Sequence, residues 1–459
     1  MSQAVETQQK ELAGKYHPYP KYKDSGVEWL EYIPNEWLTI PVGRLFSRIK
    51  RTGHSEKELL SVYRDYGVIP KSSRDDNNNK ESDDLAPYQL VRPNDLVMNK
   101  MKAWQGSIAI SEYEGIVSPA YFVYEPNNKL FELAHPRYVH YLLRNPIYIT
   151  QYMSRSKGIR VNQWDLDPDE FKLIELLLPS KQEQSKIFEF LDYETARIDQ
   201  LIAKQQRLIE LLKEKQQAVI SHAVTKGLNP DAPMKDSGIE WLGQVPKHWQ
   251  LTKLKWVAQT TSGSTPNTSE PEKYYDGGEY PWVRTTDLNN GTLIDVPVKI
   301  TERAIKDTAC TLLPIGSVLI SMYGGAGSIG KHALLKTLAT TNQAVCAVLP
   351  NSRLLPEYLN LFAEYYRPFW MASAEGTRKD PNIGQDHIRE MFIPVPPLDE
   401  QRKVEIYVSG QLCLYDKGQD IAFRQVELLK ERRIALISAA VTGKIDLRGW
   451  TPPAEEAAA

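Results

Sequence analysis

Residues 181–226 carry the hydrophobic spacing of one long helix. The stretch contains neither proline nor glycine, whereas Pro179 precedes it and Gly227 follows it, as suits the two ends of a helix. Its apolar residues recur mostly at steps of three and four, which is the spacing of a coiled-coil seam. These seam residues are Ile187, Leu191, Ile198, Leu201, Leu208, Leu212 and Val219. At about 1.5 Å per residue, such a helix is roughly 66 Å long.

Residues 398–443 show the same spacing in weaker form. Their apolar positions include Val404, Val408, Tyr415, Ala422, Leu429 and Leu436. Gly410 and Gly418 fall inside this second stretch, and each costs about 1 kcal/mol of helix stability relative to alanine. Neither helix would be stable alone in water, so packing the two seams against each other is the simplest way to bury both.

A repeat organises the whole chain. Residues 23–30 (KDSGVEWL) recur as residues 235–242 (KDSGIEWL), and the residues 210–214 (ELLKE) recur as 427–431. The ends of the two halves match while their middles diverge, and each half is a whole domain, which excludes a solenoid. Such a pattern predicts that the matching ends make shared contacts and that the divergent middles have separate recognition tasks. A duplication kept only for stability is the alternative.

The predicted fold is α+β. Two homologous mixed α/β domains are separated by two long antiparallel helices, which form a coiled coil about a pseudo-two-fold axis. The predicted segments are an N-terminal tail (1–22), recognition domain 1 (23–180), helix 1 (181–226), a linker (227–234), recognition domain 2 (235–397), helix 2 (398–443) and a C-terminal tail (444–459). Strands are expected at 95–98, 121–124, 317–322 and 344–349, and helices at 136–145 and 356–366. An ordinary dimerisation coiled coil explains the seam but not the domain inserted in each half.

Composition and charge narrow the class of protein. Of 459 residues, 41% are hydrophobic and 25% charged, and the net charge is −2, which is typical of a globular protein and argues against a nonspecific nucleic-acid coat. A basic face on one side stays compatible with this balance. The three cysteines are far apart, as in a reduced protein with neither disulfides nor a zinc site. With no apolar run of about 18 residues and no signal peptide visible, a cytoplasmic protein is expected.

The repeated motifs resemble those of the specificity subunits of type I restriction-modification systems. Residues 178–184 (LPSKQEQ) and 395–401 (VPPLDEQ) resemble the family's P-P-L-x-E-Q helix start, and 223–227 (AVTKG) and 440–444 (AVTGK) resemble its A-V-T-G-K helix end. Residues 23–37 and 235–249 resemble the segment that leads into each target-recognition domain. Ser180-Lys181-Gln182 departs from the family's Pro-Leu. The resemblance covers residues 23–447.

This resemblance implies a division of labour. Each recognition domain would bind one half of a bipartite, asymmetric site on double-stranded DNA, and the helices would set the gap between the halves. Two methyltransferase (modification) subunits and the motor-nuclease (restriction) subunits are the implied partners. We therefore expect no catalysis and no cofactor in this chain, with S-adenosylmethionine, ATP and Mg in the partner subunits. The expected partner-binding residues are Ile187, Leu191, Ile198, Leu208, Leu212, Val404, Leu429 and Leu436.

Two rival functions have some support in the sequence. Residues 325–331 (GAGSIGK) fit the phosphate-loop pattern of NTPases, but His332 stands where that motif needs serine or threonine for Mg²⁺. No methyltransferase motif for binding a target amine is present, and the eight histidines form no pair at metal-binding spacing. A scaffold protein with no DNA role is the other alternative.

Candidate DNA-binding residues lie in polar loops of both halves. Base edges need side chains with paired donors and acceptors, while phosphates need lysine, arginine and small polar groups. The candidates in the first domain are Arg64, Lys100, Lys102, Trp104, Arg160, Asn162 and Gln163. Those in the second domain are Thr265, Arg284, Ser321, Tyr323, Thr377, Arg378, Lys379 and Asn382. Arg160 and Arg378 follow corresponding Gly-x pairs and are the strongest single candidates. A solvated loop charge is the alternative for each.

Overall fold

The computed structural model describes residues 16–64, 66–74, 82–160, 163–323, 327–374 and 382–453. Residue contacts divide the chain into two units. Unit 1 comprises Met1–Gln206 and Phe423–Ala459, and unit 2 comprises Arg207–Ala422. Each unit therefore holds one recognition domain and part of each long helix. The domain boundaries given above, which treat the helices as separate segments, stay a prediction.

The strands of unit 1 are short and mostly antiparallel. They are β1 (Tyr22–Asp24), β2 (Tyr32–Pro34), β3 (Leu38–Pro41), β4 (Phe46–Ile49), β5 (Leu60–Tyr63), β6 (Gly67–Pro70), β7 (Gln89–Val91), β8 (Leu96–Asn99), β9 (Ile108–Ile110), β10 (Gly115–Val117), β11 (Tyr121–Pro126), β12 (Ser156–Arg160), β13 (Gln163–Leu166) and β14 (Glu175–Leu178). The helices are α1 (Asn128–Leu133), α2 (Pro136–Leu143), α3 (Pro146–Arg155), α4 (Pro168–Lys172) and the long α5 (Lys181–Lys226), which continues into unit 2.

Unit 2 begins with three strands and ends with a strand before its long helix, as unit 1 does, but it differs from unit 1 between them. Its strands are β15 (Met234–Asp236), β16 (Gln244–Pro246), β17 (Gln250–Lys253), β18 (Thr260–Ser262), β19 (Tyr280–Val283), β20 (Gly291–Leu293), β21 (Lys299–Ile300), β22 (Val318–Ser321), β23 (His332–Leu335), β24 (Thr340–Thr341), β25 (Val345–Val348) and β26 (Phe392–Val395). Its helices are α6 (Pro271–Tyr274), α7 (Glu302–Asp307), α8 (Pro356–Ala374), α9 (Gln385–Arg389) and α10 (Leu398–Val441), which ends in unit 1.

The main sheet of each unit is built around an equivalent central pair of antiparallel strands. In unit 1 the strand order is β4-β11-β8-β9, and in unit 2 it is β18-β25-β22-β23-β20. The central pairs β8–β11 and β22–β25 are antiparallel; β8, β22 and β25 are almost wholly buried, and β11 is buried at its two middle residues, which confirms the four strands expected from the sequence. Unit 2 adds β20, which runs parallel to β23, and a second sheet of order β21-β19-β24. The mixed α and β fold class is confirmed.

The long helices pack against each other in antiparallel fashion inside each unit. In unit 1, the guanidinium of Arg433 donates to Asp199 with an Nε–Oδ1 distance of 3.0 Å, while the start of α5 lies near the end of α10 through the segment around Trp37. In unit 2, Gln216 Nε2 donates to Asp416 Oδ1 at 2.6 Å. Two long antiparallel helices are therefore present, as the seams predicted.

Most seam residues are buried within the unit that holds them. Ile187, Leu191, Ile198 and Leu436 join the core of unit 1, and Val404 joins the core of unit 2. Leu429 and Leu212 are half-buried, while Leu208 is 42% exposed. These side chains thus pack within the chain itself, apart from the exposed Leu208. Their role as contacts to another subunit stays a prediction.

The repeated Glu-Gln pair ties each recognition domain to its helix. Trp37 Nε1 donates to Glu183 Oε1 at 3.0 Å, and Trp249 Nε1 donates to Glu400 Oε2 at 2.8 Å. The following residue, Gln401, is fully buried. Its Nε2 donates to the carbonyls of residues 353 and 396, and its Oε1 accepts the backbone N–H of residue 355. The repeated sequence letters therefore mark one structural junction built twice.

A second part of this junction joins each domain to the helix that ends beside it. The hydroxyl of Tyr138 donates to the carbonyls of Leu177 and Val441, and that of Tyr358 donates to the carbonyls of Pro394 and Val224. Both tyrosines are fully buried, and burial raises the pKa of each well above its usual value. Both hydroxyls stay neutral, so each can donate to a backbone carbonyl at the end of a long helix, where no partner within the helix is available.

Gly410→Ala is expected to raise the free energy of unfolding by about 0.5–1 kcal/mol. Gly410 lies inside α10, and no heavy atom lies within 4 Å of the place of an added Cβ, so alanine lowers the backbone entropy of the unfolded chain without a clash. Gly418→Ala is the matched comparison, because its Cβ would lie 3.3 Å from Leu212 Cδ1 and should give a smaller gain. Urea unfolding of the full chain measures both. A destabilised Gly410→Ala would contradict the helix packing.

Candidate DNA interface in each unit

Three segments of unit 1 meet at the ends of the central strands β8 and β11 of its main sheet, and this rim of the sheet is called its edge below. The backbone N–H of Lys100 donates to the carbonyl of Ala120 at 3.2 Å, and the N–H of Leu166 donates to the carbonyl of Lys100 at 3.3 Å. The loop after β8 is thereby held between the start of β11 and the end of β13. Lys100 is half-buried and Lys102 is exposed, so this edge presents positive charge to solvent.

Two tryptophans and Arg64 adjoin the same loop. The rings of Trp104 and Trp164 lie 5.0 Å apart, and Trp104 Nε1 donates to the carbonyl of Met101 at 3.0 Å. Arg64 is exposed, and its Cγ lies 4.0 Å from where a Cβ on Gly106 would stand. Gly106 has a φ of +93°, which suits glycine. The structure therefore brings together Arg64, Lys102 and Trp104.

The half-buried His140 helps to hold Arg64 in place. Burial, aided by the nearby Arg144 charge, lowers the pKa of His140 to about 3, so its ring is neutral at ordinary pH. Its Nε2 can then accept from Arg144 Nη1 at 2.8 Å, while Arg144 Nη2 donates to the carbonyl of Arg64 at 2.5 Å. The backbone of the Arg64 loop is thus fixed to the end of α2, because His140 lies in this helix and Arg144 follows it directly.

Unit 2 has the same loop arrangement at the equivalent edge. The N–H of Met322 donates to the carbonyl of Ala344 at 2.8 Å, and the N–H of Ile383 donates to the carbonyl of Met322 at 3.0 Å. These two bonds correspond to those of Lys100 in unit 1. The N–H of Asn342 also donates to the carbonyl of Val283 at 3.0 Å, which adds the end of β19 to the edge.

Four predicted residues of unit 2 come together there. Thr265 is exposed, and its hydroxyl donates to Gln343 Oε1 at 2.5 Å. Tyr323, which is 41% exposed, follows Met322, and the exposed Asn382 precedes Ile383. Arg284 follows Val283 directly. The sequence pattern therefore predicted several residues of this edge. It did not indicate Gln343, because the position of Gln343 depends on hydrogen bonds from distant segments.

Arg284 and Ser321 hold parts of this edge in position. Arg284 donates through Nε and Nη2 to the two carboxylate oxygens of Asp287, each at 3.2 Å, and the hydrogen bonding to Asp287 raises the pKa of the guanidinium. Ser321 has no exposed surface, and its hydroxyl donates to the carbonyl of Tyr323 at 2.9 Å. Ser321 therefore faces the interior and fixes the turn that carries Tyr323.

Several candidates lie outside the described residues. These are Asn162, Thr377, Arg378 and Lys379. The backbones of Arg160 and Gln163 lie in β12 and β13 and are paired with each other, but their side chains are not among those described. As DNA contacts, the candidates named above stay predictions, except Ser321, whose side chain is fully buried.

The phosphate-loop pattern at 325–331 leads into a strand. Residues 332–335 form the buried strand β23, whereas a phosphate loop needs a helix N-terminus after its lysine. His332 is buried, with Nε2 2.9 Å from Glu364 Oε2 and Nδ1 2.7 Å from Asn360 Oδ1. This histidine links the sheet to α8. The described part of 327–335 thus gives no support to nucleotide binding.

The described residues contain no group of three or more His, Cys, Asp or Glu side chains placed to hold a metal ion. None of their helices combines the length and apolar character needed to cross a membrane.

Comparisons with known proteins agree with this architecture. Residues 34–211 and 246–407 both match the type I restriction modification DNA specificity domain, and these regions make up most of the chain. The MjaIX specificity subunit of Methanocaldococcus jannaschii is 31% identical over 172 residues, covering 37% of this chain and 39% of that protein. The EcoKI specificity subunit of Escherichia coli is 23% identical over 393 residues, covering 81% of each.

A solved structure has the same fold. A chain from work on complex assembly and conformational transition of the type I R-M system has a TM-score of 0.68 at 16% identity, and the match covers 89% of this chain and 98% of that chain. Both halves of the present chain match the family model separately, and the two matches start 212 residues apart, as the repeated segments at 23 and 235 do. The chain therefore belongs to the type I restriction-modification DNA specificity family.

Proposed function

We propose that each unit of this specificity subunit binds one half of a bipartite, asymmetric site on double-stranded DNA. One observation supports this most directly. Both units hold equivalent loops at the same sheet edge with the same backbone bonds, those of Lys100 in unit 1 and Met322 in unit 2, yet the side chains at these edges differ. A shared scaffold with different polar side chains suits two readers of different sequences.

The charged and aromatic residues at the edges have distinct proposed roles. Lys102 and Lys100 would neutralise phosphates, and Arg64 would contact a phosphate or a base edge. Trp104 and Trp164 would form an apolar wall beside the bases. In unit 2, Thr265, Tyr323 and Asn382 would contact DNA, and Arg284, held by Asp287, would position that edge. Arg160, Asn162, Gln163, Thr377, Arg378 and Lys379 stay proposed contacts on the evidence of the sequence alone.

The helices would hold the two readers at a set spacing and dock two methyltransferase subunits. In dimeric DNA readers, half-sites lie about 34–36 Å apart, one turn of the duplex. We propose that this chain contributes recognition only. S-adenosylmethionine, ATP and Mg would be bound by the methyltransferase and motor-nuclease subunits, and the assembly would act in the cytoplasm.

Lys102→Ala is the test of the phosphate role. In the assembled methyltransferase, we expect weaker binding to all DNA sequences and a slope of log K against log salt that is smaller in magnitude by about 1, because one phosphate contact is lost. Binding titrations at several salt concentrations measure both. Lys129→Ala, at an exposed lysine of α1, is the matched control and should leave both unchanged.

Mapping the DNA sequence that is recognised tests the wider proposal that this chain reads a bipartite site. Methylation mapping with and without this chain should reveal a split motif, and Lys102→Ala should leave that motif unchanged while lowering its occupancy. Methylation with no sequence preference would contradict the proposed function. An unaltered salt slope in Lys102→Ala would contradict only the phosphate role.

A further inference from the structure

Gln343 lies at the centre of the unit 2 edge. Its two chain neighbours are both fixed by long-range backbone bonds: Asn342 donates to the carbonyl of Val283, and the carbonyl of Ala344 accepts from Met322. The turn is tightened further because Asn342 Oδ1 accepts the N–H of Ala344 at 3.2 Å. Gln343 itself is exposed. A fixed backbone thus presents a long amide side chain to solvent among the candidate DNA contacts.

Thr265 fixes the orientation of that amide. Its hydroxyl donates to Gln343 Oε1 at 2.5 Å, so the amide oxygen faces Thr265. Gln343 Oε1 keeps a second lone pair, and its Nε2 keeps both of its N–H groups for another acceptor. A glutamine held in this way offers one acceptor and one donor side by side, which is the pattern that matches N6 and N7 of adenine in the major groove.

The loop that carries Thr265 is clamped against the Gln343 turn. A Cβ on Gly263 would lie 1.7 Å from the carbonyl oxygen of Thr341, so only glycine allows this approach. The N–H of Ser264 donates to the same carbonyl at 3.1 Å, and the carbonyl of Ser264 accepts Trp282 Nε1 at 3.0 Å. Thr265 and Gln343 therefore meet on a rigid base, which lowers the entropy lost on binding.

Unit 1 builds the same turn with a residue that cannot read a base in this way. There Ser118 takes the place of Asn342, since its Oγ accepts the N–H of Ala120 at 3.2 Å, and Ala120 accepts from Lys100 as Ala344 does from Met322. The residue between them is Pro119, which is exposed and has no side-chain donor or acceptor. The two units thus differ at the centre of an otherwise equivalent turn.

We propose that Gln343 is a specificity-determining residue that reads one adenine in the half-site bound by unit 2, with Thr265 as its positioning residue. The inference rests on the proposed function, because it needs unit 2 to bind duplex DNA through this edge. The amide would accept from adenine N6 through Oε1 and donate to N7 through Nε2. Pro119 predicts that unit 1 makes no such contact at the matching turn.

The experiment compares variants of the assembled methyltransferase on DNA in which each position of the mapped motif is changed in turn. For Gln343→Ala, we expect the preference for adenine at one position of one half-site to fall by about 5- to 150-fold, the discrimination that one bidentate contact provides. All positions of the other half-site should keep their preferences. Thr265→Val should lower the same preference by a smaller factor, because the amide is kept but is free to turn. Gln244→Ala, at an exposed glutamine of β16, is the control.

The outcomes separate the inference from the proposed function. A wild-type enzyme with no sequence preference would overturn the proposed function. A wild-type preference that Gln343→Ala leaves unchanged would overturn the inference alone. An equal loss of preference at every position would also overturn the inference, because it would mark Gln343 as a contact to the DNA backbone. A loss at a position that is not adenine would overturn it too. Thermal unfolding of Gln343→Ala should match the wild type, since the side chain is exposed.

Discussion

Gln401→Leu is expected to lower the free energy of unfolding by about 3–5 kcal/mol. The leucine keeps the apolar volume of the side chain but leaves the N–H of Leu355 and the carbonyls of Arg353 and Pro396 without their partners. Each unsatisfied buried polar group costs about 1–3 kcal/mol. Gln401 is fully buried at the start of α10, so water cannot replace the lost bonds without opening the junction. Urea unfolding of the full chain measures the change.

Gln184→Leu and Gln182→Leu complete this experiment. Gln184 makes the equivalent bonds in unit 1, to the carbonyls of Leu133 and Pro179 and from the N–H of His135, so its loss should be similar. Gln182 lies two residues away on the exposed side of α5 and should change stability by less than about 0.5 kcal/mol. A Gln401→Leu variant as stable as Gln182→Leu would show that the junction does not depend on these bonds.

The sequence predicted the long helices well because their signals are local. Proline and glycine bracket residues 181–226, and α5 has those bounds in the structure. In contrast, the helix expected at 356–366 extends to Ala374 through Pro368. A proline inside a helix removes one backbone bond and usually ends it, but packing of α8 against the core of unit 2, through residues such as Trp370, keeps this helix continuous beyond the proline.

The candidate interface was predictable only in part. Lys102 and Tyr323 stand in polar loops after buried strands, and Thr265 follows the half-buried β18, and the sequence pattern shows these loops. The position of Gln343 depends on backbone bonds that its neighbours Asn342 and Ala344 make with Val283 and Met322. These partners lie 60 and 21 positions from Gln343 in the chain, and no local pattern reports such pairings. Ser321 shows the opposite error. The local pattern marks it as a polar candidate, but a polar residue at the end of a strand can be buried and bonded within its own turn.

Gly263→Ala is expected to disturb both the stability and the base preference of unit 2. The added Cβ would lie 1.7 Å from the carbonyl oxygen of Thr341 and 2.5 Å from its carbonyl carbon. Both atoms belong to backbone, so the loop at 262–265 must move away. Overpacking of this kind costs about 1–3 kcal/mol or more. The shift would also break the bond from Ser264 to Thr341 and separate Thr265 from Gln343.

Two measurements on Gly263→Ala give a joint test. Urea unfolding should show the loss of stability, and the assembled methyltransferase should lose preference at the same position as Gln343→Ala, because the amide is no longer held. Gly291→Ala is the matched control in the same unit: its φ is not positive, and the nearest atom to an added Cβ is Asn289 Oδ1 at 3.5 Å, so it should differ from the wild type by less than about 1 kcal/mol. A Gly263→Ala enzyme with wild-type stability would contradict the close approach of the two loops. One that loses stability but keeps every base preference would show that reading in unit 2 does not depend on the Thr265–Gln343 pair, since the physical link between clamp and reader is that single hydrogen bond.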